Sequence, residues 1–341
     1  MTMCYPTPRQ CAATALLMCL GAAGAWAHGG GGDKACSSAA KLLLKACSAD
    51  SLDNALTAAA TCRNISDATA QSACLADSKD QRKSGRGDCG DVYQSRLDVC
   101  DAVGEAPYEP PFGADAAGDF VDPRDIGGAV APNPYFPLLP GAQWKYLTTY
   151  QNENGDTITE NDTVTVTGDT KLIDGVTCVI VTDVVSASDG TVEDTQDWFA
   201  QDATGNVWYC GEIAQQKETF DGDAPPTPEL VDIEGSWKSG REGAKAGIQM
   251  LAAPAVGQSY RQELKWADAE DAATVLSVDA DESVSGGAFI CNGQCIETHD
   301  FSGLEPDASE NKFYKRDVGL ILEVDQTNGA RNELVSYTVP D

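Results

Sequence analysis

The rhythm of hydrophobic and polar positions changes along the chain. Residues 35–104 repeat small and aliphatic side chains at helical spacing, in stretches such as CSSAAKLLLKAC and DVYQSRLDVC. Their Ala, Leu, Lys, Asp and Gln content and a 3.6-residue period predict helices. Asp50-Ser51 and Ser66-Asp67 supply N-cap side chains, so the first arm is expected to break in two and the chain to reverse near residue 67. The stretch SGRGDCG is poor helix material and is expected to kink the second arm.

Residues 105–133 lose all periodicity in favour of Pro, Gly, Ala and Asp, which reads as a linker or an extended strap. Beyond residue 134 the period becomes two. TVTVTGD, VTCVIVTDVV, VGLILEV and ELVSYTV are strand-like, and Asp174-Gly175, Asp189-Gly190, DATGN and QTNGA mark turns between strands. About ten short strands are expected after residue 140, with no helix long enough to make crossovers. The predicted fold is α+β: a helical hairpin (35–104), a linker (105–133) and a mainly antiparallel β domain (134–341), either a curved barrel-like sheet or a sandwich. SWKSGREGAKAGIQMLAAPAVGQ, rich in Gly and Ala, reads as an ordered loop over one mouth of the sheet.

The N-terminus adds a location. Arg9 followed by CAATALLMCLGAAGAWA fits a secretory signal peptide, residues 1–27, and is too short for a membrane span. Ala25-Trp26-Ala27 matches the small-X-small cleavage pattern, and so does Ala23-Gly24-Ala25. Cleavage after Ala27 or Ala25 leaves a soluble protein of the periplasm or the extracellular space, opening on a glycine-rich leader (28–34). Ten cysteines remain, an even number that in an exported chain reads as disulfides.

Six of them, Cys36, Cys47, Cys62, Cys74, Cys89 and Cys100, are separated by 11, 15, 12, 15 and 11 residues, a palindrome. Folding the segment back near residue 67 sets cysteines at equal heights, so the nested set Cys36–Cys100, Cys47–Cys89 and Cys62–Cys74 is the first choice. The β-domain cysteines are Cys178, Cys210, Cys291 and Cys295. A tight Cys291–Cys295 bridge would leave Cys178–Cys210. The preferred pairing is Cys178–Cys295 with Cys210–Cys291, because it would tie three strands together.

Charge narrows the partners. With 23 basic and 53 acidic residues the net charge is −30, which argues against nucleic acid. The same balance permits cations. NENGDTITEND, DGD at 221–223 and DADES at 279–283 offer oxygen ligands for calcium, although none has EF-hand spacing. Copper has a candidate in His28. At a mature N-terminus its amine and imidazole, with His299 as second imidazole, would make a brace; cleavage after Ala25 would instead put histidine third, an amine-amide-imidazole site. The glycines after His28 oppose a rigid site.

No catalytic residue is assigned. The chain has two histidines, GQSYR is not a nucleophile elbow, and the many acids single out no pair for hydrolysis. Trp144, Tyr146, Trp198, Trp208, Trp237, Tyr260 and Trp266 all fall in the β region, where they either form its core or line a cavity. In the cavity reading Arg261 and Glu263, in SYRQE, are the polar contacts.

NPYFPLLPGAQWKY, DWFAQDATGNVWYCGE, GSWKSGREGAKAGIQM, VGQSYRQE and YKRDVGLILEV together resemble an uncharacterised family of exported bacterial proteins, over most of residues 133–336. Pro137, Pro140, Gly141, Trp144 and Tyr146 match its Pro-x-x-Pro-Gly-x-x-Trp-x-Tyr opener. Some members are similar in the cysteine-bearing front end. Members usually differ at Cys210, so a Cys210–Cys291 bridge would be local to this chain. The resemblance implies no activity and no catalytic residues.

The favoured function is non-enzymatic binding or interaction outside the cytoplasm, with a small apolar or glycan ligand in the β domain or an envelope protein as partner. A copper-binding protein and a carboxylate-based hydrolase are the alternatives. The mature chain is expected to begin at His28 or Trp26, which its intact mass reports. If the N-terminus holds copper, His28→Ala must weaken Cu(II) binding; tight binding unchanged by that substitution would exclude it.

Overall fold

The computed structural model describes residues 34–151, 155–188, 190, 192–220 and 222–339. The signal segment, its cleavage positions and His28 lie outside the described residues, as do all but the last residue of the leader. Two helices come first, α1 (Ala35–Cys62) and α2 (Ala68–Val103). Asp67 caps α2 as expected, its carboxylate accepting the Ala70 N–H at 2.7 Å. The nested bridges Cys36–Cys100, Cys47–Cys89 and Cys62–Cys74 are present as rungs between the arms.

The expected break in the first arm does not occur, and the stretch expected to kink the second stays helical. α1 runs through Asp50-Ser51 and α2 through SGRGDCG. The glycine there serves contact between the arms: a Cβ at Gly85 would stand 2.7 Å from Ser51 Oγ. Ser51 spends its hydroxyl across the hairpin on the Arg82 carbonyl, 3.4 Å away, instead of capping a new helix. α1 has no N-cap side chain of its own. Glu105, just past α2, supplies the acceptors: its carbonyl takes the Ala35 and Cys36 N–H groups and its carboxylate takes that of Ser37.

The strands follow as β1 (Gln143–Gln151), β2 (Thr157–Ile173), β3 (Val176–Ala187), β4 (Val192–Gln201), β5 (Val207–Glu218), β6 (Glu229–Asp232), β7 (Trp237–Lys238) and β8 (Lys245–Met250). β9 (Ser259–Arg261), β10 (Glu263–Leu264), β11 (Asp271–Ala280), β12 (Cys295–Ser302), β13 (Ser309–Lys315), β14 (Gly319–Asp325) and β15 (Arg331–Thr338) complete one antiparallel sheet. Its order is β10-β8-β5-β4-β3-β2-β1-β15-β14-β13-β12-β11-β9, with β6 and β7 paired to β5. The two ends of that order are consecutive in the chain. β9 pairs with β11, β10 pairs with β8, and Gln262 alone separates them. One short segment therefore bridges both edges and closes the sheet into a barrel.

Closure depends on close backbone approach. A Cβ at Gly247 of β8 would stand 2.3–2.5 Å from backbone atoms of Arg261 and Gln262. The stretch read as a mouth-covering loop is in fact this seam, since it contains β7 and β8. The Pro- and Gly-rich strap packs Phe112 and Phe120 on the outer face of the sheet, over Trp198, Cys178 and Cys210.

The β-domain disulfides differ from the preferred pairing: the structure has Cys178–Cys210 and Cys291–Cys295. Cys178 on β3 and Cys210 on β5 share the outer face with the small Ala200 of β4, so the bridge passes over the strand between them. Cys291 and Cys295 flank a turn in which Asn292 and Gly293 both have positive φ, and Gln294 N–H donates back to the Cys291 carbonyl. That turn sets the two cysteines side by side, so neither reaches another strand.

Helical hairpin and sheet belong to one compact unit. Buried Arg96 of α2 donates two bonds to one oxygen of Glu270 and one to the other, at 2.7–3.0 Å. Arg96 and Glu270 are only 4% and 1% exposed. Arg96→Ala strands a buried carboxylate and is expected to cost about 3–5 kcal/mol, measured by urea unfolding. A loss below about 1 kcal/mol would mean that the pair is not buried in solution.

Candidate functional site

The barrel interior is divided along its length. At one end Val166 of β2, Val179 and Val181 of β3, Phe199 of β4 and Leu138 pack as an apolar cluster. The segment 133–139, part of the sequence opener, plugs this end. Asn133 sets it in place: its amide N–H groups reach Gly205 and Leu251 carbonyls, and its Oδ1 accepts the N–H groups of Tyr135 and Phe136. Farther along the same inward faces the residues turn acidic. Asp162 on β2, Asp183 on β3 and Asp197 on β4 follow inward valines or a phenylalanine by two positions, and Glu212 sits directly opposite Asp197 on β5.

Between plug and acidic band lies a cavity of about 400 Å³. Phe136, Pro137, Leu138, Trp144, Val164 and Phe199 form its apolar wall, and Asp162, Asp183, Asp197, Glu263, Asp271 and Glu323 its acidic wall. Tyr146, Tyr209, Gln249, Gln262 and Asn332 add hydrogen-bonding groups, and Lys312 is the cation among the lining residues.

Lys312 neutralises one side only. Its ammonium lies 3.2 Å from Glu310, 3.5 Å from Glu323 and 3.8 Å from Asp300. Burial alone would lower its pKa, but these three carboxylates hold it well above the usual lysine value. Among the described residues no ion pair reaches Asp162, Asp183, Asp197, Glu212, Glu263 or Asp271. Burial raises all six.

Within the band, Asp162 and Asp183 lie within hydrogen-bonding reach of each other, and burial with the Asp183 charge pushes Asp162 up to about 9. Two adjacent buried carboxyls coexist by sharing a proton. Burial holds Glu212 at about 7 and raises Asp197, although Asp197 accepts the Tyr209 hydroxyl at 2.5 Å. Glu263, 6% exposed, is raised by burial and then by Asp271 and Glu212, with the Trp237 indole pulling weakly the other way. Glu263 Oε2 and the Oδ1 atoms of Asp162 and Asp183 have no hydrogen-bond donor.

The chain matches no family model and no curated protein. A solved structure it resembles is a β-barrel-like protein of the domain of unknown function DUF1849 from Brucella abortus, at 13% identity. That match has a TM-score of 0.28 and covers 60% of this chain and 99% of the other.

The aromatics picked from sequence go to different places. Trp144 and Tyr146 line the cavity, with the indole donating to the Val318 carbonyl at 2.7 Å and the phenol to that of Leu320 at 3.0 Å. Tyr260 lies nearby, packed against the interior cluster. Trp198 and Trp208 belong to the outer face; Lys171 and Lys238 stack over the Trp198 ring, and Trp208 packs with Phe112 and Phe120 beneath the strap. Trp237 is buried against Tyr209.

Arg261 turns away from the cavity, toward the rings of Tyr108 and Trp266 and the Sγ of Cys36. His299 stacks on Phe301, on the face of β12 opposite inward-facing Asp300, and His28 lies outside the described residues. Among the described residues no three His, Cys, Asp or Glu side chains gather as metal ligands.

Of the acids in the band, sequence reading singled out Glu263 alone. Asp162 belonged to a stretch read as an acidic turn, yet it lies within β2 facing inward. The usable signal was period-two alternation continued through an acid, as in Val166, Val164, Asp162 and in Val179, Val181, Asp183.

The raised carboxyls set a pH dependence. Each holds in the folded state a proton that the unfolded chain releases at lower pH. Their favourable contribution is therefore complete below the ordinary values of 3.8 and 4.5, and is lost as pH rises through about 7 for Glu212 and about 9 for Asp162. Thermal melts are expected to show Tm falling from about pH 5 to about pH 9, with a shallower slope in Asp162→Asn. A slope unchanged by that substitution would contradict the assignment.

Proposed function

We propose that this chain is a binding protein that holds a small ligand inside its barrel and works after export, in the periplasm or outside the cell. The observation carrying the proposal is the cavity. Its roughly 400 Å³ falls in the range of small-molecule sites, and its wall joins aromatic surface to buried polar atoms that no protein group satisfies. A buried acceptor without a donor destabilises the fold unless something else fills its valence. Five disulfides and the apolar N-terminal run support export.

Native mass spectrometry of protein purified from its source is expected to detect a noncovalent small molecule that leaves on denaturation. Val181→Trp, which fills the cavity, should abolish it. A source-purified protein with no bound molecule, and with a Tm unmoved by a broad panel of neutral, anionic and cationic compounds, would overturn the proposal. The facing pair Asp197 and Glu212 favours one second reading, a carboxylate hydrolase. Turnover of a glycoside or ester, lost in Glu212→Gln, would move the protein to that class.

A further inference from the structure

We infer that the ligand of this cavity is an organic cation, an ammonium group carrying an apolar body, held with its charge in the carboxylate band and its body toward the plug. The inference rests on the binding reading above and names its ligand class.

Three observations lead there. The first is the imbalance of charge. Lys312 is taken up by Glu310, Glu323 and Asp300, while Asp162, Asp183, Asp197 and Glu263 face the cavity with no ion-pair partner among the described residues. The charged groups acting on the Asp162–Asp183 pair are Asp197 of β4, Glu193 of β4 and Glu323 of β14, all acids, with the phenol of Tyr146 beside them on β1. Such a wall disfavours anions, and the acids in it that hold a proton can exchange that proton for a bound positive charge.

The second observation is Glu263. It is buried and lines the cavity, and its Oε2 has no donor. An ammonium supplies charged N–H donors, and a quaternary ammonium supplies charge, whereas the donor that the fold sets beside Glu263 is the neutral Trp237 indole. Where Asp162 and Asp183 share a proton, a bound cation takes that proton's place, and the proton leaves to solvent.

The third is the lengthwise division. Trp144 and Phe199 stand on the apolar side of the band, with Tyr146 and Tyr209 at its level. Aromatic faces attract cations and also pack apolar carbon, so they suit the junction of charged head and apolar body. A neutral apolar molecule would bury the carboxyls without pairing them, at the cost of desolvation.

The test uses three probes of one shape: phenethylamine, 2-phenylethanol and 3-phenylpropionate, titrated into the full exported chain at neutral pH and followed by tryptophan fluorescence and calorimetry. Phenethylamine is expected to bind at least about tenfold more tightly than the alcohol, the scale of one charged hydrogen bond, with no binding of the carboxylate. Glu263→Gln and Asp183→Asn should each weaken the amine about tenfold and leave the alcohol unchanged. Both are near-isosteric and remove a buried acid, so retained or raised Tm verifies folding.

Equal or tighter binding of the alcohol would overturn the cation assignment while leaving the binding reading intact. Tight amine binding unaffected by both substitutions would also overturn it, placing the amine elsewhere. Failure of all three probes, together with no molecule on the source-purified protein, would remove both readings.

Discussion

Closing the sheet takes from water more carboxylates than the interior has cations to match. Among the described residues six acids and one lysine line the cavity, and that lysine is shared among three acids on one side. An ionised carboxylate is too costly to bury alone, so these groups must hold protons, accept hydrogen bonds or meet a positive charge from outside. Tyr209 serves Asp197 in the second way, and Asp162 and Asp183 answer in the first. Glu263 is raised by burial as well, and its Oε2 has no donor.

The rest of the chain serves that enclosure. The two-part segment β9–β10 joins the sheet edges, with Gly247 permitting the approach. Asn133 seats the plug at the apolar end. The strap covers the outer cluster around Cys178–Cys210, and the disulfide-runged hairpin docks through Arg96 onto Glu270, beside the closing strands. A bidentate pair this buried fixes orientation because it has no solvent to fall back on, and the Ala267 N–H, which also donates to Glu270 Oε1, holds the carboxylate in place.

Much of this architecture is legible in the chain. Palindromic cysteine spacing encodes the hairpin and its three rungs, because spacing along a helix is spacing in height. Period-two runs and turn pairs encode the antiparallel sheet. The misses share a cause: they depend on contacts between segments far apart in sequence. Ser51 looks like a helix cap until its hydroxyl has a partner on the other arm. Cys291 and Cys295 close on each other because Asn292-Gly293 turns more tightly than a pairing argument over whole strands anticipates. The seam around Gly247 looks like a loop because its strands are short and glycine-bearing. Trp144 and Tyr146 read as aromatic candidates and do line the cavity, whereas Trp198 and Trp208 share their strand type but face out. The acids were hidden because a charged residue in a strand reads as solvent-facing until closure of the sheet turns that face inward.

The claim on which the account turns is that buried carboxyls in the barrel are neutral at neutral pH. Infrared spectroscopy of the full chain reads this directly through the carbonyl stretch of protonated carboxyl groups. The account predicts such a band at pH 7, reduced in Asp162→Asn, falling in part as the pH rises through about 7 and lost in its remainder only as the pH approaches about 9. Complete loss of the band by about pH 5, as for ordinary solvated carboxylates, would contradict it.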